Sequence, residues 1–76
     1  MMDVRGTLRS YRENIEAVRD RIQHLHREVA KCGGEGNSKS YALRQRRRFL
    51  YEEMAEMQEA ARLLEDYLAK TGEFLQ

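Results

Sequence analysis

Proline and tryptophan are absent from this 76-residue chain, and cysteine occurs once. Without proline, nothing in the sequence forces a kink or a break in a long helix. With Cys32 alone, no intrachain disulfide can form, and a lone thiol without a partner fits a reducing compartment. No apolar run approaches the ~20 residues that cross a bilayer. The first residues are charged from Asp3 onward, unlike a signal peptide. The expectation is therefore a soluble cytoplasmic protein with no membrane contact. A net charge of +1 excludes a uniformly basic nucleic-acid binder. No glycine-rich phosphate loop follows a strand and no nucleophile–base pairing stands out, so neither enzyme activity nor a cofactor is expected.

What is present is the composition of long helices. Charged residues make up 36% of the chain, with many Glu, Arg, Leu and Ala. Val4, Leu8, Tyr11, Ile15, Val18, Ile22, Leu25 and Val29 alternate spacings of four and three, which is a heptad stripe. A second stripe runs through Leu43, Arg47, Leu50, Met54, Met57, Ala61, Leu64 and Leu68. Pairing the end of the first with the start of the second, and working outward, gives eight pairs whose numbers each sum to 72. A chain doubled back between the two stripes brings all eight face to face. The fold class predicted is all-α: an antiparallel two-helix hairpin, coiled-coil-like, dimerising into a four-helix bundle. The competing arrangement is a parallel two-stranded coiled coil, which the β-branched Ile15, Ile22 and Val29 at one seam position also suit.

The spacing predicts helix one over about 3–31, a glycine-rich turn over 32–39, helix two over about 39–70 and a short tail over 71–76. Asp3 or Thr7 is placed to cap helix one, and Gly6 is expected to make its first turn irregular. Gly33 or Gly34 is placed to end it in the left-handed conformation. Asn37, Ser38 or Ser40 can cap helix two, with Ser38 favoured, and Gly72 stands at its end. Phe74 and Leu75 are expected to fold back on the last turn. Flanking charges predict three cross-helix pairs, Glu28 with Arg46, Arg21 with Glu53 and Arg5 with Glu65, with His26 facing Arg44 as the exception.

Seventy-six residues bury little core, and such small scaffolds usually need help. Helix two carries more apolar surface than one seam requires: Ala42, Phe49, Ala60, Leu63 and Tyr67 form a second stripe beside the first. Its burial by another hairpin makes a four-helix bundle. The function expected is accordingly protein–protein interaction, as a small scaffold or regulatory adaptor that forms a homodimer or pairs with a different protein.

The runner-up is a nucleic-acid-binding accessory protein. Residues 24–48 hold seven basic and two acidic groups, net +5, against seven basic and eleven acidic elsewhere, net −4. Lys31, Lys39, Arg44, Arg46 and Arg48 are the candidate contacts to phosphates or to an acidic partner. The basic run has no interleaved aromatic platform, and its arginines point in several directions around the helix. Arg47 sits at a seam position opposite Leu25 and must snorkel or find a carboxylate.

His24, His26 and Cys32 invite a metal site, but residues two apart on a helix point in nearly opposite directions, so none is expected. Met54 and Met57 at adjacent seam layers are read as adaptable core. The acidic run Glu52, Glu53, Glu56 and Glu59 is read as a solvated face complementary to Arg12 and Arg19. In length and hairpin plan the chain resembles the small sporulation-control phosphatases, which are also two antiparallel helices. Their Ser-Gln-Glu-Leu-Asp signature is absent, and no residue role carries over. The second helix, basic and then acidic after a glycine turn, is similar in composition to helical segments of small phage-encoded regulators.

Overall fold

The structure is a computed structural model and describes residues 3–72. Two α-helices, α1 (Val4–Lys31) and α2 (Tyr41–Thr71), are joined through a turn ending in one 3-10 turn, Ser38–Ser40. The helices pack along their length and give a rod of 51 × 20 × 14 Å. Its radius of gyration is 16.8 Å, against about 11 Å for a compact domain of this length. The sequence-predicted tail, with Phe74 and Leu75, lies mostly outside the described residues.

Asp3 caps α1: its Oδ1 accepts from the Gly6 amide at 3.0 Å. A Cβ at Gly6 would lie 2.4 Å from that carboxylate. Gly6 therefore admits the cap, and the first turn is regular rather than irregular. At the other end, the Gly34 amide bonds the Val29 carbonyl and the Gly33 amide bonds that of Ala30. This is the Schellman pattern, and it requires the left-handed φ of +96° that Gly33 adopts.

The turn is closed by Ser40, not by Ser38. The Asn37 side chain accepts from the Lys39 amide and starts the 3-10 turn. Ser40 is fully buried; its hydroxyl lies 2.7 Å from the Gly34 carbonyl and 2.8 Å from that of Asn37, and accepts from Arg44 Nε at 3.0 Å. Ser38 is exposed because the 3-10 turn rotates it outward. Gly72 ends α2 in the left-handed region, as its position predicts.

Every one of the sixteen seam residues is buried or half-buried. Leu8, Ile15, Ala61 and Leu68 form a buried cluster flanked by Val4, Tyr11, Met54, Met57 and Leu64. That set contains both members of the four rungs farthest from the turn. Burial is uneven: six α1 seam residues are fully buried but only two of α2. One helix can cover the narrow stripe of α1, but not the wider apolar surface of α2.

Candidate interaction face of the second helix

Among the described residues, the large hydrophobic ones left exposed are Tyr41, Phe49, Tyr51, Leu63 and Tyr67, all on α2. Of the sequence-predicted stripe, Phe49 is 66% exposed, Leu63 56% and Tyr67 50%, with Ala42 exposed and Ala60 half-buried. The stripe continues through Arg46, Glu53 and Glu56, which share its spacing. None of these three makes an ion pair within 4.0 Å among the described residues. The face is thus apolar at both ends and charged in the middle.

Its terminal end is a groove. Val4, Thr7 and Tyr11 of α1 and Ala60, Leu63, Leu64 and Tyr67 of α2 line an open cavity of about 400 Å³. The contribution of α1 was not read from the sequence.

The basic loop end is largely engaged with its own chain. Arg47 Nη2 pairs with Glu35, and the Arg47 side chain is only 14% exposed. Arg47 Nη1 donates to His26 Nδ1 at 2.9 Å. That leaves the neutral ring with its proton on Nε2, 3.0 Å from the Tyr51 hydroxyl. The seam guanidinium therefore finds its carboxylate in the turn. The hydrogen bond from Arg47 holds the Glu35 carboxyl below the ordinary carboxylate range against an opposing desolvation effect, with the Arg47 and Arg44 charges acting in the same sense as the bond. Arg44 bonds Ser40, with its guanidinium 5.7 Å from the Tyr41 ring centre. Arg48 pairs with Glu52 at 3.4 Å and Lys31 with Glu28 at 3.5 Å. Lys39 and Arg46 are the exposed candidates without an ion pair within 4.0 Å among the described residues.

The expected cross-helix pairs are not the ones formed. Arg12, not Arg5, bonds Glu65 at 3.0 Å, and His26 meets Tyr51 rather than Arg44. Both partnerships join the expected kind of flanking position but lie one heptad further along. Side chains lean toward the N-terminus of their own helix, so in an antiparallel pair they converge when both residues lie C-terminal of a common level. Glu28 pairs within α1, with Lys31 and at 3.9 Å with His24, instead of with Arg46. Arg21 and Glu53 form no ion pair within 4.0 Å among the described residues.

No residue of the acidic run pairs with Arg12 or Arg19: Glu52 and Glu59 find partners on α2 itself, and Glu53 and Glu56 make no ion pair within 4.0 Å among the described residues. Glu59 bonds Arg62 at 2.6 Å, and Arg19 bonds Glu16 at 2.9 Å. The Arg62 hydrogen bond, then its charge, holds the Glu59 carboxyl below the ordinary range. His24, His26 and Cys32 do not converge: His24 lies beside Glu28, His26 beside Tyr51, and Cys32 is half-buried at the helix end. No helix among the described residues is long and apolar enough to cross a membrane.

Comparison with protein-family models, with curated proteins and with solved structures returned no match. The functional reading therefore rests on the geometry of the hairpin.

Proposed function

We propose that this chain is a non-enzymatic interaction and oligomerisation module, a small scaffold or adaptor that acts by packing the free face of α2 against another helix surface. One observation carries the reading: Phe49, Leu63 and Tyr67 share a single helical face, exposed, on a molecule whose first helix exposes no comparable side chain. Burying each such side chain fully is worth roughly 1.5–3 kcal/mol.

The surface area supports the same reading. The chain exposes 5809 Å², against about 4,850 Å² for a compact protein of its mass. The excess, about 950 Å², is close to the ~800 Å² that each partner buries in a standard interface. A pairing of two hairpins gives the four-helix bundle. Of the candidate phosphate contacts only Arg44 is partly buried, where it holds Ser40, and the rest are scattered exposed side chains with no stacking platform among them.

Sedimentation equilibrium tests the proposal. The wild-type chain should exceed its 9.0 kDa monomer mass, and a Phe49→Asp, Leu63→Asp double variant should return to it with helix content intact. A wild-type chain that stays at the monomer mass up to about 1 mM, where even a 4 kcal/mol association would show, would overturn the reading.

A further inference from the structure

The second helix is polar in the electrical sense as well as amphipathic. Its N-terminal part carries Arg44, Arg46, Arg47 and Arg48, while residues 52–66 carry six carboxylates and one arginine. The whole rod follows suit, net +5 over residues 24–48 and net −4 over the rest. Packed helices lie about 8–10 Å apart, comparable with the screening length at physiological salt. Charges on neighbouring rods are therefore felt, and the relative orientation of two rods matters.

Two copies docked with their turns together would set one basic pole beside the other. Docked head to tail, each basic pole lies beside the acidic body of its neighbour. Shape points the same way. Phe49, the most exposed large hydrophobic side chain among the described residues, lies near the basic end, and the apolar groove of Val4, Tyr11, Ala60, Leu63 and Tyr67 lies near the acidic end. The groove is large enough for a phenyl ring. A two-fold axis crossing α2 midway between Phe49 and Leu63, near Glu56, superposes projection on groove twice, as an isologous interface requires.

Resting on the interaction reading above, we infer that the occupant of this face is a second copy of the chain, lying antiparallel across α2, with Phe49 of each copy seated in the groove of the other. The same axis brings Glu53 and Glu56 of the two copies near one another. That like-charge contact weakens the pairing and also makes the arrangement recognisable.

The native lone thiol reads the orientation. A nitroxide on Cys32 marks the turn end of each rod, and pulsed electron–electron resonance of the labelled full chain gives the distance between the two labels. The antiparallel arrangement places them about 50 Å apart, from the rise per residue on either side of the axis. Docking with the turns together places them about 20 Å apart. A distance near 50 Å supports the inference; one near 20 Å overturns it while leaving the interaction reading intact. A monomer, detected as the absence of any dipolar coupling together with the monomer mass of the unlabelled chain, overturns both.

An unlabelled second test is Glu56→Gln, which leaves both ends of the face untouched. It should tighten self-association by about two- to fivefold, the range of one exposed charge contact. An unchanged or weakened association would overturn the inference, and a misfolded variant would not produce tightening.

Discussion

Replacing Arg47 by leucine should stabilise the hairpin while loosening its turn. The guanidinium stands at a seam position, 14% exposed, and holds Glu35 and His26. Glu35 is 65% exposed, so its ion pair is solvent-screened and weak. The hydrogen bond to the exposed His26 adds about 1 kcal/mol at most, and the freed imidazole nitrogen rehydrates. Against these stands the desolvation of a cation in an apolar seam. Replacing such groups by hydrophobic residues of similar volume is often stabilising, by about 1–4 kcal/mol. Leucine also fills the space that the arginine stem covers opposite Leu25. A net gain of about 1 kcal/mol raises the melting temperature of a chain this size by about 4–8 °C. Thermal denaturation followed by circular dichroism in dilute protein reads this directly. Arg47→Ala, which removes both the clamp and the stem, should melt below wild type. Amide exchange at residues 34–37 should accelerate in both variants, since both release Glu35. If Arg47→Leu melts as low as Arg47→Ala, the clamp outweighs the desolvation and the reasoning fails.

The turn makes further contrasts. Gly33→Ala forces a side chain into the left-handed region and toward Asn37, 2.2 Å from the new Cβ. It should cost about 1–2 kcal/mol or more in denaturant titration. Gly36→Ala, which meets nothing within 4 Å, should be neutral or stabilising by up to about 1 kcal/mol. Ser40→Ala should cost about 0.5–1.5 kcal/mol in the same titration, because it removes the hydroxyl that bonds the Gly34 and Asn37 carbonyls and Arg44 Nε, while each carbonyl keeps a backbone amide. Glu35 has a depressed pKa in the folded chain. Its contribution to the turn is therefore fully present above the unfolded value of about 4.3 and lost as pH falls through the lower, folded value. Turn protection in hydrogen exchange should fall across that acid window in wild type and show no such step in Glu35→Gln.

Much of the architecture was legible because it rests on periodicity and caps. The helix limits, the left-handed Gly33 and Gly72, and the apolar stripe on α2 follow from spacings of three and four and from glycine placement. The flanking pairs were displaced by a heptad because residue numbers fix levels along two rods, whereas contacts depend on the backward lean of each side chain. Glu35 as the partner of Arg47, and Ser40 rather than Ser38 as the closing hydroxyl, depend on the conformation of the turn, which has no repeat to read. The groove was missed because half of it belongs to α1.

Methyl chemical shifts followed on dilution test the central claim, that one seam closes within the chain while a second face awaits another. The methyls of Ala42, Ala60 and Leu63 should shift as the protein is diluted through its association range, and those of Ile15, Ile22 and Leu68 should hold still. Seam methyls that move with the stripe would mean that α1 and α2 are joined between molecules rather than within one, and a stripe that never moves would leave the free face of α2 without a role.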